Sequence, residues 1–148
     1  MQAPTQIEPA GLSDYLDVIT RAVFQSGMSW RVVENKWPGF REAFAGFDPE
    51  RVAAFGADDI ERLAADTRIV RNRRKIEATV TNAQRMLELE REPGGFVGWL
   101  RSRGDFDATV AALRGELRYL GDMGAYYFLY VVKEPVPSHE EWMRTHQA

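Results

Sequence analysis

Apolar residues in this chain recur at helical spacing, and each run is cut short by glycine, proline or a capping residue. Tyr15, Val18, Ile19, Ala22 and Val23 fall on one face of a 3.6-residue repeat. Phe40, Phe44 and Phe47 repeat the pattern, as do Ile60, Leu63 and Ala64, then Ile76, Val80, Ala83 and Leu87, then Val110, Leu113 and Leu117. No stretch sustains the period-two alternation with hairpin turns that a half-buried sheet needs. A chain patterned this way folds as short helices around a shared core, an all-α protein.

The punctuation sets the expected boundaries. Ser13 has the chemistry of an N-cap, with Asp14 in the first turn to meet the helix dipole. Gly27 breaks that helix, and a second is expected from Ser29 towards Lys36. Trp37-Pro38-Gly39 reads as a turn. Asp48-Pro49 is an N-cap followed by proline at the first helical position. Gly56 marks a break, and Asp58 and Asp59 read as the cap of the next helix. Asn72 or Thr67 opens the longest helix, which Pro93-Gly94-Gly95 ends. Phe96, Trp99 and Leu100 make a short amphipathic helix, and residues 101–107 a polar loop. Residues 125–132 are apolar nearly all round, which predicts burial, until Pro135 and Pro137 stop them.

Length and composition narrow the function classes. The 148 residues are expected to form one domain, 1–148, able to bury roughly 68–70% of its extended surface. The absence of cysteine removes disulfides, thiolate zinc sites and thiol nucleophiles together. His139 and His146 lack cysteine partners, so no metal is expected, and no nucleotide-binding loop suggests a cofactor. The N-terminal residues carry no basic-then-apolar pattern, and no apolar run approaches the roughly 20 residues of a membrane span. The expectation is a cytoplasmic protein.

Net charge is −3, yet Arg68, Arg71, Arg73, Arg74 and Lys75 cluster within eight positions. Such a run is a basic face for nucleic acid or, by spacing alone, a solvated helix start. Residues 118–124 place Gly121 and Gly124 between two helices. Backbone N–H groups there could hold a phosphate, or the glycines could serve a tight turn. Met28, on the Gly27 loop, is either a wedge for a base stack or a core filler. Trp30, Trp37, Trp99 and Trp142 are equally ambiguous as core or site residues.

Sequence similarity separates some of these readings. Gln25-x-Gly27-x-Ser29-Trp30 resembles the Gln-Ala-Gly-Leu-Ser-Trp element of the bacterial 3-methyladenine DNA glycosylase I family, in the helix-hairpin-helix superfamily. Phe40-Arg41-x-x-Phe44-x-x-Phe47-Asp48-Pro49-x-x-Val52-Ala53 is similar to its next helix pair. Ile69-Val70-Arg71-Asn72-Arg73-x-Lys75-Ile76 with Asn82-Ala83 resembles a third element. Gly95-Phe96-x-x-Trp99, Tyr119-x-Gly121, Tyr126 and Phe128 continue in family order.

The resemblance implies a two-lobed helical fold with a central cleft. It implies that duplex DNA with an alkylated base is bound, the base flipped and its N-glycosidic bond hydrolysed, by a monomer without cofactor. Gly27 and Met28 would plug the duplex. Trp30, with Gln25 and position 22, would line the base pocket. Tyr119, Gly121, Gly124, Arg71 and Arg73 would contact the DNA backbone. The chain also departs from the family. Ala22 stands where a pocket glutamate is usual, which leaves the catalytic residue unassigned; Asp14, Asp17, Glu34 and Asp122 are candidate substitutes. The family's Tyr-His-Asp-x-Glu-Trp-Gly segment is missing from the sequence. Its zinc set of two Cys and two His cannot form, and Ser138 replaces an Asp near His139. Cleavage remains chemically reasonable, because 3-methyladenine is cationic in DNA and leaves neutral. A tryptophan face stabilises such a cation by roughly 0.5–2 kcal/mol. Two rivals remain: a catalytically impaired lesion-binding protein of the same fold, and a helical domain that does not touch DNA.

Overall fold

The computed structural model describes residues 3–146, except the side chain of His146, so that histidine lies outside the described side chains. The elements are α1 (Leu12–Gln25), α2 (Trp30–Ala43), a 3-10 turn (Ala45–Phe47), α3 (Pro49–Ala53), α4 (Ala57–Ala64), α5 (Arg73–Glu90), α6 (Gly95–Arg101), α7 (Phe106–Glu116), α8 (Asp122–Val131) and α9 (His139–His146). The described residues contain no strand.

Helices α1 and α5 form the spine. On one side lie α2 and the 3-10 turn, packed on α1, with α3 and α4 packed on α5. On the other side α8 packs on α1, α6 on α5, and α7 on α8. The two groups share one apolar core, in which Leu16, Ile19, Phe24, Ile76, Phe96 and Phe128 are fully buried. Each such side chain contributes about 1.5–3 kcal/mol of burial. An aromatic column fixes α2 against α1. Trp37 stacks on Phe40 at 4.6 Å and on Phe47 at 5.4 Å, and Phe24 meets Phe40 edge-on at 4.7 Å.

Asp48 caps α3 by accepting the Glu50 N–H, with Pro49 behind it, as the sequence implies. Asn72, not Thr67, caps α5 by accepting the Lys75 N–H. Asp59 closes the α4 cap by accepting the Gly56 N–H at 3.0 Å. Several expectations differ from the structure. Helix α1 starts at Leu12, so Ser13 is inside it, and Gly11 is the N-cap. Trp37-Pro38-Gly39 is not a turn but the middle of α2. Gly39 is there for close approach: a Cβ at that position would lie 2.5 Å from the Arg68 carbonyl oxygen. Met86 and Leu89 take the buried positions of α5 where Leu87 was expected; Leu87 is half-buried. Helix α9 was not expected at all. It is held by Trp142, stacked on Tyr126 at 4.3 Å.

Candidate functional site

The segment joining α1 to α2 carries the first candidate residues. Gly27 takes φ +71°, a left-handed conformation that favours glycine. The Met28 N–H closes the turn on the Gln25 carbonyl at 3.0 Å. Lys75, only 5% exposed, reaches across from α5. Its Nζ donates to the Phe24 carbonyl at 3.2 Å and to the Ser26 carbonyl. A cation is thereby placed on the orphan carbonyls of the α1 C-terminus, where the helix dipole favours it. Burial pushes the Lys75 ammonium below its ordinary pKa. On this tethered loop Met28 is 39% exposed, and Trp30, which opens α2, is 48% exposed. Neither is a core residue, whereas Trp37, Trp99 and Trp142 are buried.

Position 22 faces α8. Ala22 is 3% exposed, and a Cβ at Gly124 would lie 3.6 Å from the Ala22 Cβ and 3.0 Å from Leu120 Cδ1. Gly124 is therefore inside α8 as a close-packing residue, not in the turn before it. One helical turn on, Tyr127 is half-buried, with the Arg21 and Gln25 side chains beside its hydroxyl. Burial raises its pKa. Arg21 in turn donates through Nη1 to both Glu34 carboxylate oxygens, at 3.0 and 3.2 Å, and lies 4.9 Å from the Trp37 ring centre. Arg21 and Tyr127 are not among the residues that motif and spacing single out.

The four candidate carboxylates divide by geometry. Asp14 accepts the Ala10 N–H at 2.8 Å. Asp17 accepts Trp37 Nε1 at 3.1 Å and Arg41 Nε at 3.0 Å. Asp122 pairs with Arg114 at 2.8 Å. Glu34 lies one turn beyond Trp30 on α2, so the two side chains share a face.

The connection from α7 to α8 turns at Tyr119, which takes φ +57°, and Gly121 is the α8 N-cap in an extended conformation. Asn82, 1% exposed on α5, grips this turn twice: it accepts the Arg118 N–H at 2.7 Å and donates to the Arg118 carbonyl at 3.2 Å. The α8 first turn is thus held in place, with N–H groups that no helical carbonyl can reach. Tyr119 is 46% exposed beside it. The basic run is less positive than its sequence. Arg68 is engaged by Asp66 at 2.7 Å and by Glu42 at 3.3 Å. Arg73 forms a two-pronged pair with Glu61, the longer contact at 2.9 Å. Lys75 is buried. Arg71 and Arg74 are exposed.

A groove of about 790 Å³ lies elsewhere, between α6, α7 and residues 133–137, lined by Leu100, Phe106, Leu129 and the Arg101–Glu134 pair. None of the candidate residues above borders it. The residues present do not fit the zinc of the resemblance: the sequence has no cysteine, and the His139 ring packs 5.5 Å from Tyr130 and 6.3 Å from Tyr126. Among the described residues no three His, Asp or Glu side chains gather as a metal would require.

Comparison with known proteins agrees with this geometry. The methyladenine glycosylase family model matches residues 13–117. The DNA-3-methyladenine glycosylase 1 of Escherichia coli is 41% identical over 78 residues, 53% of this chain and 42% of that protein. The DNA-3-methyladenine glycosylase of Haemophilus influenzae is 40% identical over 67 residues, 45% of this chain and 36% of that protein. The match therefore spans less than half the length of these curated relatives. The solved 3-methyladenine DNA glycosylase I of Staphylococcus aureus superposes with a TM-score of 0.76 at 26% identity, covering 86% of this chain and 79% of that one. Its shared fold accounts for the all-helical architecture described above. With most of its length matched by the family model and its helices superposed on a solved member, the chain belongs to the methyladenine glycosylase family.

Proposed function

We propose that the protein is a monofunctional DNA glycosylase that removes 3-methyladenine from duplex DNA. The observation that carries this reading is the exposed indole of Trp30, at the start of α2 beside a loop fixed by Lys75, in a chain of this family. In the proposed reaction the damaged base leaves the stack and lies against Trp30, while Met28 on the Gly27 turn enters the gap. The N-glycosidic bond breaks with its electron pair going to the base, which departs neutral. Water adds to the sugar carbon and loses a proton to solvent, leaving an abasic site. Because the leaving group needs no proton, the reaction makes no demand for a general acid. Stacking on Trp30 and Gln25 beside it would hold the base.

DNA backbone contacts are assigned to the α8 first turn at Gly121, to Tyr119 and to Arg71. Arg73 would join them by sharing its guanidinium between Glu61 and phosphate. Gly124 would act by letting α8 approach α1, which aims that first turn. We further propose that the chain works as one domain and as a monomer. The single apolar core running from Tyr15 to Val132 supports the former.

The test is incubation of purified protein with methylated duplex DNA and chromatography of the released bases. Release of 3-methyladenine above an inactive-protein control supports the proposal; none at high protein concentration refutes it. A second reading, lesion binding without excision, is favoured by one observation: the space at position 22 is filled by α8. It predicts salt-sensitive binding to abasic duplex DNA with no base release.

A further inference from the structure

We propose that Arg74, together with Arg31 and Arg118, forms a phosphate track that carries one DNA strand between the α1–α2 loop and the α7–α8 turn. The proposal rests on the function given above only in taking duplex DNA as the ligand. Three observations carry it.

First, one helix holds both candidate DNA-binding loops. From α5, Lys75 bonds the Ser26 carbonyl of the α1–α2 loop, and Asn82 bonds the Arg118 backbone in the α7–α8 turn. These anchors lie about two helical turns apart, about 10 Å along the axis. A DNA strand rises about 3.4 Å per nucleotide, so a segment of about three nucleotides spans both loops. Arg74 precedes the first anchor and shares a stripe of α5 with Ala78 and Asn82. It stands at the position that the resembled Arg-Asn-Arg-x-Lys-Ile element leaves open.

Second, these three cations are uncompensated, while the acids around them are committed. Arg31, Arg74 and Arg118 are exposed, and their side chains form no ion pair among the described residues. The bordering carboxylates belong to other arginines: Glu34 to Arg21, Glu61 to Arg73, Glu116 to Arg85 and Asp122 to Arg114. Glu77, the next acid along α5, forms no ion pair with Arg74. A chain of net charge −3 thus keeps a positive field at these two loops.

Third, the unpaired cations elsewhere are scattered. Arg51 is on α3, Arg91 at the far end of α5 and Arg144 on α9. Arg31 leans on Trp30, its guanidinium 5.9 Å from the ring centre, which places its charge beside the stacking surface. Arg31 is therefore the end of the track nearest the extruded nucleotide, and Arg118 the end nearest Gly121. All three are positioning residues: phosphate contacts fix the register of the duplex without reading its bases.

The test is the salt dependence of binding. The probes are a fluorescent unmodified duplex and the same duplex with a stable abasic-site analogue, each titrated between about 50 and 200 mM salt. Each phosphate contact contributes about 0.9 to the slope of log affinity against log salt. Arg31→Ala, Arg74→Ala and Arg118→Ala should each reduce that slope by about one. Each should also weaken both duplexes equally, by about five- to tenfold at about 0.1 M salt, with Tm unchanged. Arg91→Ala removes the same charge about 25 Å further along α5 and should keep the wild-type slope. A wild-type slope in Arg74→Ala, or an equal fall in Arg91→Ala, overturns the proposal. The two readings fail separately. Salt-sensitive binding through these residues without base release sinks the glycosylase reading and leaves the track standing; base release with unchanged slopes does the reverse.

Discussion

Replacing Lys75 with methionine isolates the contact that holds the α1–α2 loop. The ammonium donates to two carbonyls, those of Phe24 and Ser26. Hydrogen bonds from a charged donor contribute about 1.5–3 kcal/mol each. Ser26 is exposed, so water can replace the donor at its carbonyl, while Phe24 is fully buried and its carbonyl is left unpaired. Methionine preserves most of the apolar stem and removes the cost of burying a charge, so no cavity is added. The net loss is then about 2 kcal/mol, close to one buried bond. For a chain of this length that lowers Tm by about 4–8 °C. Urea denaturation should show a lower midpoint at unchanged slope, and amide exchange at Met28 should accelerate. Binding to abasic duplex DNA should weaken as well, although Lys75 itself cannot reach DNA. A variant within about 0.5 kcal/mol of wild type, with Met28 exchange unaltered, would refute the reasoning.

Other perturbations follow from the same contacts. Ala22→Glu, which would place the family's usual carboxylate, should destabilise by about 3 kcal/mol or more, because the buried charge would face Gly124 and α8 without a partner; thermal melting measures it, and a stable, more active variant contradicts the packing described. Gly39→Ala should cost stability despite alanine's helix advantage of about 1 kcal/mol. Its Cβ would meet the Arg68 backbone oxygen, and a higher Tm would show that contact to be loose. Acid should destabilise the fold. The carboxyls of Glu8, Asp59, Glu61 and Asp66 are held below their ordinary values by hydrogen bonds from Lys133, the Gly56 N–H, Arg73 and Arg68 respectively. The unfolded chain protonates first, so stability present above about pH 4.5 is lost as pH falls through the lowered folded values. A melting temperature flat from about pH 5 to pH 2.5 would be the contrary result.

What the sequence disclosed was local. Period-3.6 spacing and self-contained capping chemistry, such as Asp48-Pro49 and Asn72, located helices because the atoms that satisfy them are a few residues away. Residues whose reasons are distant were misread. Pro38-Gly39 has the composition of a turn, but Gly39 answers to Arg68 across the fold. Gly124 looked like part of a hairpin and instead answers to Ala22. Helix α9 depends on a stack between Trp142 and Tyr126, which no spacing announces. The site divides the same way. Trp30 and Met28 were legible as candidates, but only their exposure distinguished them from the buried tryptophans. Tyr127 was hidden in an apolar run, and Arg21 among helix-face residues. The one available signal was that Arg21 and Gln25, one turn apart, share a helix face with Asp17 and border the small residue Ala22.

The central claim is that Trp30 stacks the base this protein excises. Single-turnover release of 3-methyladenine from methylated duplex DNA, compared between wild type and Trp30→Ala, tests it most directly. Loss of the stacking contact should slow release by about tenfold or more, with melting temperature little changed because the ring is half exposed. Equal rates for the two proteins, or no release from either, would contradict the account.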